Sequence, residues 1–326
     1  MSESTFVVVN PASAGGKTGR RWVELAARLR ARVGDFEVAM TESPRQATAL
    51  VRDALGRGAR HIVSVGGDGT HNEAVNGFFD GERSLAPNAM LSLVPTGTGG
   101  DLRRTLDLPA DAVEAIEHVG ERPVTVDVGV LDCTGPDGAP ARHRFINISS
   151  FGASGRIVET VNNTTKAFGG KVSFLLGVAK VSATWRNKRV RLVLDPDTPD
   201  ARPIDGRMYV GAIANARYFG GGMKVAPDAI MDDGLFDVIV MGDLSKATLM
   251  LRTASIYAGE HLSIDGIEHH FARVVRAEPG EAGDEILIDM DGEGPGRLPA
   301  TWRIAPAALR LCVGPECRAV RRDRER

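Results

Sequence analysis

Over the first 130 residues, short apolar runs alternate with longer stretches whose apolar positions recur every three or four residues. The runs at 6–9, 36–40, 61–65 and 90–94 have the length and β-branched content of buried strands. Between them, 20–33 sets Trp22, Leu25, Ala26 and Leu29 on one helical face, and 44–57 does the same with Ala47, Leu50, Val51, Ala54 and Leu55. A third helix runs on from the loop after residue 65 through Asn76. Strands alternating with helices predict a doubly wound parallel sheet. Such sheets bind ligands beyond the carboxyl ends of their strands. Three turn-rich loops, at 10–17, 66–70 and 95–99, fall at that edge.

After about residue 124 the pattern changes. Strand-like runs recur at 124–131, 144–149, 190–194, 208–214, 236–240, 274–277, 286–290 and 303–305, most of them separated by Gly, Pro and Asp. Helical patches interrupt them at 171–183 and 245–258. This half reads as a mainly antiparallel β domain. The last ten residues carry five Arg against one Asp and one Glu, which predicts a frayed, solvated tail.

Composition narrows the function classes. The 326 residues carry 40 Lys+Arg and 42 Asp+Glu, a formal charge of −2, where a general nucleic-acid binder needs a basic excess. Aromatic residues make up 5%, too few for a base-stacking platform. Cys133, Cys312 and Cys317 are too scattered for a disulfide framework or a zinc site, which suits a reducing compartment. No run approaches the roughly 18 apolar residues of a membrane-spanning helix. The expected setting is cytoplasmic, with any membrane contact peripheral.

The sharpest motif is Gly66-Gly67-Asp68-Gly69-Thr70-His71-Asn72-Glu73, where a strand turns into a helix. Glycines permit positive φ and close backbone approach, so successive N–H groups and the helix start form an anion nest suited to polyphosphate. Asp68 beside that nest offers an oxygen to Mg²⁺. The plainer alternative is a tight turn with Asp68 and Thr70 as helix caps. The Asn10-Pro11-Ala12-Ser13-Ala14-Gly15-Gly16-Lys17 loop lacks the spacing of a Walker loop, and Pro95-Thr96-Gly97-Thr98-Gly99-Gly100-Asp101 completes the set. Three such loops on one edge point to nucleotide phosphates. Ser149-Ser150-Phe151-Gly152 is not a hydrolase elbow. His269-His270 reads as surface, and Trp22, Trp185 and Trp302 as core or rim packing.

These motifs, in this order, resemble the diacylglycerol kinase catalytic-domain family of bacterial lipid kinases and of sphingosine and ceramide kinases. The resemblance also takes in Asn76-Gly77, Val126-Asp127-Val128-Gly129, Pro227-Asp228, Asp232-Asp233-Gly234-Leu235-Phe236 and Asp291-Gly292-Glu293, and so spans residues 6 to about 313. It implies an α/β ATP-binding domain over 1–130, completed by a returning strand at 303–313. A β-sandwich lipid-substrate domain over 131–302 and a disordered tail over 314–326 follow. ATP contacts fall to Asn10, Pro11, Ala12, Ser13, Ala14, Thr41, Gly66, Gly67, Asp68, Gly69, Thr70, His71, Asn72, Glu73 and Thr98. A structural Mg²⁺ falls to Asp233, Ile230 and Leu235, and the network around a catalytic Mg²⁺ to Asp68, Asp101 and Asp127. Asp291 and Glu293 would meet the reacting hydroxyl, one of them as base, with Glu293 favoured for its longer arm. Gly100 departs from the pattern, which usually has Asn there, so altered nucleotide affinity is expected.

The expected reaction is transfer of the ATP γ-phosphate to the hydroxyl of diacylglycerol or a related lipid alcohol. The rivals are an NAD kinase-like enzyme, which shares the Gly-Gly-Asp-Gly-Thr loop, and a catalytically weakened nucleotide- or lipid-binding regulator. Residues 164–194 hold seven Lys/Arg, no acidic residue, an apolar stretch and Trp185. That suits contact with an anionic membrane at its inner face, against the alternative of a buried helix beside a solvated strand. The resemblance leaves a homodimer open.

Overall fold

The computed structural model describes residues 4–81, 83–97, 99–163, 177, 180–181 and 184–321. Thr98 and most of 164–183 lie outside the described residues, and with them most of the helix expected at 171–183. Two compact units emerge. The first holds 1–128, 230–233 and 306–326, and the second holds 129–229 and 234–305.

The first unit alternates as its apolar periodicity predicts: β1 (Thr5–Val9), α1 (Ser13–Val33), β2 (Phe36–Met40), α2 (Gln46–Gly56), β3 (His61–Gly66) and α3 (Asp68–Gly77). A short hairpin of β4 (Phe79–Asp80) and β5 (Arg83–Ser84) leads to β6 (Met90–Pro95), α4 (Asp101–Thr105) and α5 (Ala112–Ile116). Parallel pairing runs β2-β1-β3-β6. On the far side of β6, Arg310 and Leu311 of the last strand pair in parallel with Met90 and Leu91. Leu25 and Leu29 of α1 pack on Val7, Val9, Val63, Val65 and Val94, with Trp22 edge-on to Phe36. The loop expected at 10–17 is partly drawn into α1, but Ala14, Gly15 and Gly16 keep left-handed backbone inside it.

The expected frayed tail gives way over 314–321. Cys317, Ala319 and Val320 are buried, the Met231 N–H donates to the Ala319 carbonyl at 2.7 Å, and the Arg321 N–H donates to the Asp232 carboxylate at 2.9 Å. Apolar side chains between the arginines anchor it.

β7 (Pro123–Thr134) leads into the second unit, which adds β8 (Pro140–Phe145), β9 (Ile148–Gly152), α6 (Ala153–Asn163), β10 (Lys188–Leu194), β11 (Arg202–Met208), β12 (Val210–Ala214), β13 (Phe236–Met241), α7 (Lys246–Ala258), β14 (Ile267–Ala272), β15 (Val274–Pro279), β16 (Leu287–Met290) and β17 (Glu293–Cys312). Antiparallel pairing runs β14-β13-β12-β9-β16-β17 and, beside it, β17-β15-β10-β11. Side chains alternate across the strands. Phe236, Val238 and Val240 enter the sandwich core with Phe145, Phe151 and Trp302. Ile239 and Met241 enter a second core with Val225 and Ile256 of α7.

One expected strand, 144–149, is instead two. The Asp291 carboxylate accepts the backbone N–H groups of Ile146 (3.1 Å), Asn147 (3.2 Å) and Ile148 (2.9 Å), so those amides leave the ladder and the chain turns between β8 and β9.

Candidate functional site

In the first unit, three loops at the carboxyl ends of β1, β3 and β6 are stitched together. The Asn10 Nδ2 donates to the Thr70 hydroxyl at 3.0 Å, while its Oδ1 accepts the Ala12 N–H. The Ser13 and Thr96 hydroxyls bond at 2.8 Å, and the Thr96 N–H donates to the Gly66 carbonyl at 2.7 Å. The approach is close enough to require glycine. A Cβ on Gly97 would stand 2.6 Å from the Gly67 Cα, and one on Gly66 2.5 Å from the Thr70 side chain. The Thr41 N–H extends the edge by donating to the Val9 carbonyl at 2.8 Å.

Asp68 is the clasp. Its Oδ2 accepts the N–H groups of Gly100 (2.7 Å) and Asp101 (3.3 Å), tying the second loop to the third. Its Oδ1 takes no protein hydrogen bond among the described residues. Gly100 holds a left-handed conformation (φ 68°) that starts α4.

Away from the loops, Asp111 caps α5 and Ser245 caps α7, each accepting first-turn N–H groups. The Glu73 carboxylate serves α2, accepting the Arg45 and Ala47 N–H groups at 2.9 and 3.1 Å. At the loops, Asn10 accepts the Ala12 N–H ahead of α1 and Asp68 accepts the Gly100 and Asp101 N–H groups at the start of α4, while α3 starts at Gly67 with no side-chain cap. The first-turn amides of α3 carry partial positive charge toward whatever ligand occupies the edge.

Several of the expected contact residues also bond to the scaffold. The His71 ring is 1% exposed, bonded through Nδ1 to the Ser64 hydroxyl at 2.9 Å, with Nε2 buried and unpartnered. Burial lowers its pKa to about 4 against the opposing pull of Asp68, so it is neutral at pH 7. Asp101 is buried against Arg104 (2.8 Å). Asp127 accepts the Ala307 N–H at 2.7 Å and pins the returning strand. The three carboxylates of the expected network, Asp68, Asp101 and Asp127, have these surroundings. Each carboxylate is engaged by its own protein donors, and among the described residues no three acidic, His or Cys side chains form a preformed metal cluster. Asp68 alone keeps an oxygen open, which fits a Mg²⁺ carried in with polyphosphate and held by one or two carboxylates. Of the expected structural Mg²⁺ set, Ile230 and Asp233 belong to the first unit, with Arg321 3.8 Å from Asp233, and Leu235 to the second.

In the second unit, Asp291-Gly292-Glu293 forms the turn between β16 and β17, with left-handed backbone at Asp291 (φ 50°) and Gly292 (φ 86°). Asp291 is bound into the backbone of 146–148, as described above, whereas Glu293 is exposed. Asp289, two residues before the turn, is buried and donor-bound to Gly292. It escapes motif reading, although three carboxyls in five residues mark the place.

Two family models divide the chain. The diacylglycerol kinase catalytic domain matches residues 4–131, and the YegS C-terminal NAD kinase beta sandwich-like domain matches 147–313, half of the chain. This chain belongs to the diacylglycerol kinase family of lipid kinases. It is a phosphotransferase acting on an alcohol. A Staphylococcus carnosus (strain TM300) protein named "Diacylglycerol kinase" is 26% identical over 306 residues, covering 93% of this chain and 92% of its own. One of Xanthomonas euvesicatoria pv. vesicatoria (strain 85-10), named "Probable lipid kinase YegS-like", is 25% identical over 299 residues, covering 90% and 92%. A crystal structure of a diacylglycerol kinase from Bacillus anthracis str. Sterne shares the fold, with a TM-score of 0.70 at 20% identity over 96% of this chain and 97% of that one. Yeast NADH kinase complexed with NADH shares it more distantly, with a TM-score of 0.54 at 11% identity over 98% and 85%.

Proposed function

We propose that this family member transfers the γ-phosphate of ATP, with Mg²⁺, to the hydroxyl of diacylglycerol or a related lipid alcohol. The observation that carries the nucleotide side is the clasp. Asp68 locks two glycine loops together with one oxygen and leaves the other open, beside the start of α3, which has no side-chain cap. Bound Mg²⁺ would neutralise phosphate charge, and Asp68 is the residue to hold it. Phosphoryl transfer needs positioning and charge neutralisation above all, and open backbone amides supply both.

Glu293 is the general base of this reading. Asp291 accepts three backbone amides and is thereby a positioning group, while Glu293 stays exposed to take the proton of the lipid hydroxyl. Peripheral contact with anionic lipid is the third part. Arg156, Lys180, Trp185, Arg186 and Lys188 line a cavity of about 390 Å³ in the second unit, and the buried Trp185 Nε1 has no acceptor among the described residues. Lys188 is paired with Asp284 and Arg189 with Asp205, while among the described residues no ion pair engages Lys180, Arg186 or Arg191. Lys166 and Lys171 lie outside the described residues.

The test is product identification after incubating the protein with ATP, Mg²⁺ and a panel of lipid alcohols in mixed vesicles, with NAD in a parallel reaction. A phosphorylated lipid is expected. A phosphorylated NAD with no lipid product overturns the reading. Vesicle sedimentation tests the membrane part: anionic vesicles should bind tighter than neutral ones at low salt, and equal binding contradicts it.

A further inference from the structure

Under the Asp291-Gly292-Glu293 turn lies a carboxyl that the chemistry above does not use. Asp289 sits where the β16–β17 register shifts, between Ile288 and Met290, and is 6% exposed. Its Oδ1 accepts the Gly292 N–H at 3.0 Å. Its Oδ2 stands 3.4 Å from the Ser150 hydroxyl on β9, which donates to the Ser154 hydroxyl on α6 at 2.8 Å. The Asp289 carbonyl accepts the Ser149 hydroxyl at 3.1 Å, so the residue is fixed at both backbone and side chain.

We infer that Asp289 is a positioning residue for the turn: held as a neutral acid, its carboxyl grips Gly292 from beneath and sets the direction in which Glu293 leaves the strand. The neutral form follows from what surrounds it. β9 and α6 present the hydroxyls of Ser150 and Ser154, the turn presents the Gly292 N–H and the Asp291 carboxylate, and β17 presents Glu293. No cation pairs with it among the described residues. A third negative charge, buried beside two others, is costly, and holding the proton removes that cost. Burial accordingly raises this carboxyl to about 8, with Asp291 and Glu293 pushing the same way and the Gly292 N–H and Ser150 hydroxyl pulling back. Left-handed backbone at Asp291 and Gly292 makes the turn dependent on such a grip, because both residues are held off the extended path of the flanking strands.

The inference rests on Glu293 as the base, and its test separates the two. The variants are Asp289→Asn, which keeps an acceptor for Gly292 and is always neutral, and Asp289→Leu, which fills similar space without a hydrogen bond. Rates of lipid phosphorylation at saturating ATP are measured against pH, beside thermal melting over the same range. Wild-type kcat is expected to fall above pH about 8 as Asp289 ionises. Asp289→Asn should keep most of the activity at pH 7 and lose that basic limb. Asp289→Leu should lose about 10-fold or more in kcat, with KM for ATP unchanged. A basic limb that persists in Asp289→Asn, or wild-type kcat in Asp289→Leu, overturns the inference. If Asp289→Leu fails to fold, the Asp289→Asn profile decides alone. If no lipid is phosphorylated by any form, the base assignment has failed, and melting still decides the neutral acid. Wild type should lose stability relative to Asp289→Asn as pH rises from about 4 to about 8, and parallel curves contradict it.

Discussion

Asp291 and Glu293 stand two residues apart and do different work. Asp291→Asn removes a charge that binds three backbone amides, so both stability and activity should fall, the former by roughly 1–3 kcal/mol. Glu293→Gln touches an exposed side chain. Its melting temperature should match wild type while kcat falls by about 10²–10⁴-fold. A melting loss in Glu293→Gln equal to that of Asp291→Asn would contradict the division. Asp68→Asn keeps an oxygen to accept a loop amide but loses the charge offered to Mg²⁺, so kcat should fall by about 10²–10³-fold with little change in melting. Near-wild-type turnover in that variant would remove Asp68 from the metal's surroundings.

The glycine loops and the strand–turn–helix pattern around them are legible in the sequence because local rules govern them: small residues where backbones meet, and apolar periods of two or 3.6 elsewhere. The break between β8 and β9 is not, because its cause is the Asp291 carboxylate, 143 to 145 positions along the chain. The same holds for Asp127, whose partner is Ala307, and for Asp101, whose neighbour Arg104 turns it into half of an ion pair. A motif names a carboxylate but not its partner. Glu73 shows the point most plainly: it stands in the nucleotide motif, yet caps α2. Gly100 lies between the two cases. Its left-handed φ of 68° admits Asn, and the atom that an added Cβ would meet at 2.8 Å belongs to the Arg103 side chain, which can move. Gly100→Asn should therefore melt like wild type while changing the Kd for ATP, as calorimetry would show. An unchanged Kd would mean that the position does not face the nucleotide. Gly97→Ala has no such escape, because its Cβ would meet the Gly67 backbone. It should destabilise the first unit and weaken ATP binding together.

Across the whole molecule, buried titratable groups pull stability in opposite directions. Burial lowers His61 and His71 to about 4, so in the window from the unfolded value of 6.5 down to about 4 the unfolded chain binds more protons. Stability is then lost as pH falls, on the order of 3 kcal/mol for each histidine. Asp289, raised to about 8, gives the reverse slope, losing stability as pH rises from about 4 to about 8. His261, also lowered by burial, adds to the acid-side slope, so the histidines outweigh the one carboxyl below pH 6.5 and the carboxyl prevails above it. The melting temperature should therefore peak near pH 6.5 and decline on both sides; a flat profile from pH 4.5 to 8 would contradict these assignments. The proposed chemistry is read out by transfer of labelled γ-phosphate from ATP into lipid by wild type and Glu293→Gln side by side, with Mg²⁺ present. Wild type is expected to give a labelled lipid and the variant a rate lower by at least about 10²-fold, with both proteins binding ATP equally. Equal rates from the two, or label appearing in NAD and in no lipid, would contradict it.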